Sequence, residues 1–333
     1  MDRIINGRMF HKTFEGNFYD GQFLSEYGRV ESLRAQRYNN KFSIMLVDIE
    51  GLEPGVDMGV DGEQQRFLKR LVAVILETVR TCDVVGLIDE GQIAAIMPQT
   101  DYIGALMTIR KLSKACEPIL ADEPYKLLFA HADFPRDGRG FGELVTAATR
   151  KITEKKESLW VSRGFGDKLF WQIMGELAGT STGGGNYAAF DTGEGYAMTE
   201  FFMDQVNDVI VRESARSPRK KGIVYFASKK LTTNLPFIKT IIEAGSTNTK
   251  MFLVGETDDN LWDIKNATPL LLDDPRLKDV FFTFFFNEDI SYALICRENW
   301  GSTFSCFHTS DAGMVEGLIT KFQNEYYLQE QLG

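Results

Sequence analysis

Cysteine and histidine are scarce, with four and three among 333 residues. Cys82, Cys116, Cys296 and Cys306 show no C-x-x-C spacing, and His11, His131 and His308 are far apart in sequence. Structural zinc needs paired short ligand spacings, so no metal and no required cofactor are expected, and the thiols read as reduced groups in cores. A Ser/His/Asp triad would have to be assembled from residues distant in sequence. Residues 57–62 miss a calcium loop, with Gly59 at a ligand place and Leu68 where a bidentate Glu belongs. Residues 182–186 lack the Lys and Ser/Thr of a phosphate loop. Long apolar runs are missing too. Those near residues 71–76 and 280–286 fall far short of the about 18–20 residues that span a bilayer, and residues 1–6 carry no apolar leader segment. The expectation is a cytoplasmic chain with no membrane insertion. Positive charge is in deficit, 37 Lys plus Arg against 47 Asp plus Glu for a net charge of −10, which argues against DNA as a partner.

What is present is alternation of helical and strand patterns. Phe23, Leu24, Tyr27, Val30 and Leu33 have helical spacing over 23–37, broken by Asn39 and Asn40. Residues 42–47 suit a buried strand ending on Asp48. A Gly/Pro/Asp-rich loop over 51–62 precedes a long amphipathic helix over 63–80. Strands over 84–88 and 92–97 flank a hairpin turn, and a helix over 102–116, a strand over 126–132 and a helix over 141–155 follow. That order describes a mixed sheet covered by helices.

A helix-like stretch over 168–177 then leads into a Gly/Ser/Thr-rich joint over 179–195. Beyond it, helices over 198–212, 235–244 and 312–327 accompany strands over 223–227, 251–255, 280–286 and 291–296. The fold class is α/β of the α+β kind, divided as a first domain over 1–165, a linker over 166–196 and a second α/β domain over 197–333. Phe281, Phe282, Phe284, Phe285 and Phe286 read as a strand buried on both faces rather than a ligand cage. Arg212, Arg216, Arg219, Lys220 and Lys221 read as solvated surface, with a phosphate or acidic contact as the alternative. His308, beside Phe307, reads as packing or turn chemistry.

Five passages carry a resemblance: Ser32-Leu33-Arg34-Ala35-Gln36-Arg37, Leu46-Val47-Asp48-Ile49-Glu50, Val79-Arg80-Thr81-Cys82-Asp83-Val84-Val85-Gly86, Ala95-Ile96-Met97-Pro98-Gln99-Thr100 and Ala132-Asp133-Phe134-Pro135-Arg136-Asp137-Gly138. In this order and spacing, residues 23–155 resemble the GGDEF domain of bacterial diguanylate cyclases. The family's catalytic hairpin signature is missing. Its place reads Asp89, Glu90, Gly91, Gln92 and Ile93, with acidic residues where glycines admit a nucleotide, and Gly91 and Gln92 where an acidic pair helps hold metal. Asp48 matches a first-strand metal ligand as a remnant, and the guanine-reading places fall at Val56 and Gln65. The resemblance thus implies a degenerate domain that is not an enzyme.

Arg80-Thr81-Cys82-Asp83 stands where the family carries its R-x-x-D inhibitory site for cyclic di-GMP, with Lys111 at the place of an assisting basic residue and Arg110 beside it. Chemically, a guanidinium pairs with guanine O6 and N7 or stacks on its face, and a carboxylate accepts from guanine N–H groups. The structural alternative has Arg80 capping the preceding helix and Asp83 forming a turn. A second R-x-x-D, Arg276-Leu277-Lys278-Asp279, lacks that context, so position carries the assignment.

The second half resembles the DICT sensory domain at Met251-Phe252-Leu253-Val254-Gly255, at Ser291-Tyr292-Ala293-Leu294-Ile295-Cys296-Arg297-Glu298 and at Phe307-His308-Thr309-Ser310-Asp311. Together the resemblances imply a signalling protein that binds cyclic di-GMP and relays it to its second domain, a homodimer or an unidentified signalling partner. The alternatives are a scaffold or sensor that dimerises or docks a partner without nucleotide, and a divergent cyclase using Asp48, Glu50, Asp89 and Glu90.

Overall fold

The structure is a computed structural model that describes residues 3–5, 8–10, 17–52, 62–89, 91–179, 196–257, 259–298 and 303–328. His11, Val56, most of the 57–62 stretch, Glu90 and the 180–195 part of the joint lie outside the described residues. The chain divides into two compact units, Met1–Glu157 and Ser158–Gly333. Among the described residues no helix is long and apolar enough to cross a membrane.

In the first unit β1 (Arg3–Ile5) pairs antiparallel with β2 (Arg8–Phe10). Then follow β3 (Phe18–Tyr19), α1 (Gly21–Tyr38), β4 (Phe42–Glu50), α2 (Glu63–Thr78), β5 (Val84–Asp89), β6 (Gln92–Pro98), α3 (Tyr102–Leu120), β7 (Lys126–Phe134) and α4 (Phe141–Glu157). The five-stranded sheet runs β3-β5-β6-β4-β7, antiparallel apart from the β3–β5 pair. Helix ends follow local chemistry. Asp20 accepts from the Phe23 amide at 2.8 Å and Asp101 from the Gly104 amide at 2.9 Å, while Asn39 ends α1 in the left-handed region at φ 51°.

The β4 run is apolar because both of its faces are covered. Met45, Val47 and Ile49 pack with Phe67, Leu71 and Leu112 of α2 and α3, and Ile44 and Leu46 pack with Leu24 and Leu144 of α1 and α4. Gly28 lets α1 approach the Phe141 ring closely, since a Cβ there would collide with it.

The second unit contains α5 (Leu159–Ser162), a 3-10 turn (Phe165–Asp167), α6 (Phe170–Gly179), β8 (Tyr196–Thr199), α7 (Glu200–Arg216), β9 (Gly222–Leu231), α8 (Pro236–Glu243), β10 (Thr249–Thr257) and β11 (Ala267–Leu270). A second 3-10 turn (Pro275–Lys278), β12 (Val280–Asn287), β13 (Ser291–Glu298), β14 (Thr303–Thr309) and α9 (Ala312–Glu325) complete it. The seven-stranded sheet runs β11-β10-β9-β12-β13-β14-β8, with β9, β10 and β11 parallel and the other pairs antiparallel. Both units are therefore mixed α/β. As expected, β12 is buried on both faces: Phe285 joins the core under α7 and α8, while Phe282 and Phe284 meet Phe170 of α6, and Phe282 also meets Phe322 of α9.

Three expectations are corrected. The boundary falls after Glu157 rather than after residue 165, because Phe165, Phe170, Ile173 and Met174 are core of the second unit. Consequently the start of the expected 166–196 linker is the buried helix α6, pinned by the Trp171 indole donating to the Tyr326 hydroxyl at 3.0 Å. Cys296 and Cys306 are not separate thiols. They are register partners on β13 and β14, with Cα atoms 4.1 Å apart, and form a disulfide, whereas Cys116 is a buried free thiol and Cys82 an exposed one. Finally, α7 begins at Glu200, with residues 196–199 pairing as β8.

The basic stretch behaves as paired surface: Arg212 meets Asp208 at 2.7 Å, Arg216 meets Glu213 at 3.2 Å, and Lys220 pairs with Asp289. His308 is buried, its ring 6.0 Å from that of Tyr292.

Candidate functional site

Two places on the first unit concern the sequence-predicted residues, and strand register separates them. Val84 of β5 lies opposite Ile96 of β6, which lies opposite Ile44 of β4, so the 80–83 turn meets the sheet at the start of β4. Asp48 lies opposite Gln92, four residues further along β4, about 13 Å away at the rise of a strand.

The 80–83 turn follows directly on α2. The Asp83 amide donates to the Arg80 carbonyl at 2.9 Å, and the Arg80 amide donates to Asp83 Oδ2 at 2.8 Å. Both backbone polar groups of Arg80 are thereby used within the turn, which fixes its Cα. Asp83 is the turn-forming residue of the structural alternative, and the cap of α2 is made by the Val79 amide on the Ile75 carbonyl rather than by the Arg80 side chain. Burial pushes the Asp83 carboxyl above its ordinary range, against the Arg80 amide and guanidinium, which pull it down. Arg80 itself is exposed, and its guanidinium makes no side-chain hydrogen bond among the described residues.

Sequence reasoning missed the α1 residues beside this turn. Burial, then the charge of Glu31, pushes the Tyr27 hydroxyl above its ordinary value; Arg34 opposes and Asp83 adds to the rise, so these groups share one neighbourhood. Arg34 bonds Glu31 at 2.9 Å. Their helical spacing was legible; their meeting with a turn some fifty residues later was not. Lys111 is exposed and Arg110 half-buried on α3, which packs against α2. Among the described residues no hydrogen bond ties Lys111 to the 80–83 turn.

The second Arg-x-x-Asp is spent on structure. Arg276 grips Asp274 through Nε at 2.9 Å and Nη2 at 2.6 Å, meets Glu325 at 3.0 Å and lies 4.9 Å from the Trp171 ring centroid. Tyr326 donates its hydroxyl to Asp274 at 2.8 Å, and the Asp274 carboxyl falls to about 2, chiefly through Arg276.

At the other end of β4, Asp48 Oδ1 accepts from the Gln92 amide at 2.8 Å and Oδ2 from Lys156 Nζ at 2.7 Å. The same ammonium reaches Glu50 at 3.1 Å. These contacts raise the Lys156 pKa, the Asp48 hydrogen bond first among them. The hairpin turn is tied down as well: Gly91 takes φ +75°, its carbonyl accepts from the Ile49 amide at 2.9 Å, and Asp89 stands exposed opposite Gln92. Gln65 is buried on α2. Lys156 lay outside every motif of the sequence, 108 residues from Asp48.

Ser, His and Asp do meet near the start of β4, in an order that makes no nucleophile. Asp133 is central, accepting from the Ser43 hydroxyl at 2.6 Å and standing 3.2 Å from His131 Nδ1, while Ser43 also donates to the Thr100 carbonyl. Burial would raise the Asp133 carboxyl, but the His131 and Ser43 bonds outweigh it and hold it low. A catalytic serine needs histidine as its acceptor; here it donates to a carboxylate and a carbonyl.

No family model matches the chain, and no curated protein matches it. Among solved structures, it is similar to a DGC protein from Thermotoga maritima at 16% identity, over 40% of this chain and 94% of that one, with a TM-score of 0.34. It is similar to the GGDEF domain of DgcB from Caulobacter crescentus in complex with c-di-GMP at 11% identity, over 44% and 88%, TM-score 0.36. A third likeness is to diguanylate cyclase SiaD from Pseudomonas aeruginosa in complex with its activator SiaC, at 16% identity over 43% and 56%, TM-score 0.38. Likeness at these levels carries no information on activity or ligand.

Proposed function

We propose that the first unit is a GGDEF-like domain that makes no cyclic nucleotide and instead receives cyclic di-GMP at Arg80 and Asp83, with Lys111 and Arg110 of α3 assisting. The observation that carries this reading is the 80–83 turn: a backbone-locked arginine presents its guanidinium to solvent, whereas the chain's other R-x-x-D arginine is consumed by Asp274 and Glu325. A guanidinium on a preformed turn loses little conformational entropy when it takes up a planar base edge. The second unit, with its DICT-like passages on β10, β13 and β14, is the receiver of the signal, directly or through a homodimer or a signalling partner.

Absence of cyclase chemistry is supported at Asp48. A divalent ion there would need carboxylate oxygens free to coordinate, yet Lys156 and Gln92 take both oxygens of Asp48, and Lys156 also holds Glu50. The residues present do not fit a metal ion. Cyclic di-GMP carries two phosphodiester charges, and the net charge of −10 makes a defined arginine site more important than a general basic field.

Calorimetric titration with cyclic di-GMP tests the reading. Binding in the micromolar range or tighter is expected, weakened at least about tenfold by Arg80→Ala in a protein that keeps its circular dichroism spectrum. Asp83→Asn, which keeps an acceptor for the Arg80 amide, separates loss of a ligand contact from loss of the turn. No heat at high nucleotide concentration sinks the proposal. The use of Asp83 to close its own turn favours a second reading in that event, a scaffold or sensor that dimerises or docks a partner without nucleotide.

A further inference from the structure

The long edge of the first unit's sheet is β7, the end strand of the order β3-β5-β6-β4-β7, with nine residues against two in β3 at the opposite end. Its stretch Leu127-Leu128-Phe129-Ala130-His131-Ala132 holds no Pro, no Gly, no carboxylate and no ammonium. A long apolar strand with one open side is a template on which a further strand can pair. The second unit's sheet limits that risk by brevity: its end strands β11 and β8 have four residues each, and β11 carries Pro269.

Register tells which peptide groups of β7 face outward. The Ile49 amide donates to the Gly91 carbonyl beside β6, so odd-numbered residues of β4 aim their peptide groups at β6 and even-numbered ones at β7. Even-numbered residues of β4 lie opposite even-numbered residues of β7, Leu46 with Ala130 and Ile44 with Ala132, which leaves the peptide groups of Phe129, His131 and Asp133 on the outer side. All three outward carbonyls are taken. The Phe129 carbonyl accepts from Lys155 Nζ at 2.7 Å, that of His131 from Lys151 Nζ at 3.0 Å, and that of Asp133 from the Asp137 amide at 2.8 Å. The Asp133 amide donates to Asp137 Oδ2 at 2.9 Å, and Lys151 bonds the same oxygen at 2.8 Å.

The two lysines stand four residues apart on α4, about 6 Å of helix rise, and their acceptors stand two residues apart on β7, about 6.6 Å of strand. One face of α4 therefore delivers an ammonium to each of two successive outward carbonyls. An incoming strand would have to donate to those same carbonyls, and so would have to displace both ammoniums, break the Lys151–Asp137 pair and cross the lysine stems. We infer that Lys151 and Lys155, with the turn that Asp137 closes on Asp133, bar the β7 edge to a second copy of this chain. A homodimer of this protein then forms through some surface other than the β7 edge, whether or not the first unit binds nucleotide.

The test is analytical ultracentrifugation of the full chain without nucleotide, from about 5 to about 100 μM, on the wild type and on the double variant Lys151→Met with Lys155→Met, which removes both ammoniums and keeps much of the stems. At the highest concentration the double variant is expected to exceed the wild type at least about twofold in weight-average mass. Hydrogen exchange read by mass spectrometry locates the contact: new protection is expected over residues 126–134 of the associated variant, and none with rising concentration in the wild type. Lys156→Met controls for lost stability, since it unpins the same helix at Asp48 rather than at β7, and it should keep the wild-type mass. Lys155→Met alone serves if the double variant fails to fold, with association at the upper concentrations. An unchanged mass in the folded variants overturns the inference. So does association without new protection over 126–134, equal association of Lys156→Met, or concentration-dependent protection of 126–134 in the wild type. No readout involves a nucleotide, so a failed cyclic di-GMP titration leaves this result standing and the reverse holds too.

Discussion

Replacing Lys156 by methionine removes the ammonium that joins Asp48 to Glu50 and keeps much of the aliphatic stem. At 2.7 Å, with an effective dielectric of about 20 to 80, the Coulomb attraction to Asp48 lies between about 6 and 1.5 kcal/mol. The Lys156 side chain is 38% exposed, so screening and the entropy of holding a long side chain reduce the net worth of the pair to about 1 kcal/mol. The variant also strands a carboxylate only 13% exposed beside a second one, so its loss should reach about 1–2 kcal/mol. For a unit of this size that is a fall of about 3–6 °C in melting temperature.

All four tryptophans, Trp160, Trp171, Trp262 and Trp300, lie beyond residue 157. Far-ultraviolet circular dichroism therefore has to follow the first unit, while tryptophan fluorescence follows the second. The cycle of Lys156→Met with Asp48→Asn isolates the pair, and a coupling of about 1 kcal/mol is expected. The pH dependence supplies a sign. A lysine whose folded pKa is raised contributes stability that is fully present below the unfolded value of about 10.4 and is lost as pH rises through the folded one. The gap between wild type and variant should thus stay constant from neutral pH to about 9 and close only above about 10.5. A coupling below about 0.3 kcal/mol, or a gap that closes in the neutral range, refutes the reasoning.

Two further outcomes concern the second unit. Arg276→Ala, discounted for the half-exposed guanidinium, should cost about 1 kcal/mol at neutral pH. Because the Asp274 carboxyl is depressed to about 2, that stability is present above the unfolded value of about 3.9 and lost as pH falls through about 2, so acid melts followed by fluorescence should converge on the variant. Phe170→Ala should cost about 3–5 kcal/mol, since its ring is 1% exposed between Phe282, Phe284 and Phe322; a change within about 0.5 kcal/mol, as a linker residue would give, contradicts the placement of α6.

Much of the fold was legible because periodicity is local. The β4 run, the amphipathic α2 and the hairpin of β5 and β6 follow from spacing within a few residues, and a strand such as β12, with phenylalanine at five of its eight places, announces burial on both faces. What failed was non-local or diluted. The composition of 166–196 is dominated by its Gly/Ser/Thr-rich later part, although five residues of its earlier part, Phe170, Ile173, Met174, Leu177 and Ala178, make α6 core. The Cys296–Cys306 bond needs β14 as a strand in register with β13, a pairing that no spacing within either segment states.

The candidate site divides along the same line. A tetrapeptide states which side chains are near in sequence, not whether they are already committed. Arg80 and Arg276 stand in equivalent tetrapeptides, yet only the second has a carboxylate, Asp274, placed two residues earlier to seize both guanidinium edges, with Glu325 and Trp171 brought in from α9 and α6. Around Arg80 the local carboxylate turns one oxygen, Oδ2 of Asp83, onto the Arg80 backbone amide instead of onto the guanidinium. The same rule reads Asp48 in reverse. It matched a metal ligand by sequence position, but α4 returns Lys156 from 108 residues away to occupy its oxygen. Availability, decided by what the fold has already paired, separates a residue able to receive a ligand from one that merely occupies a motif.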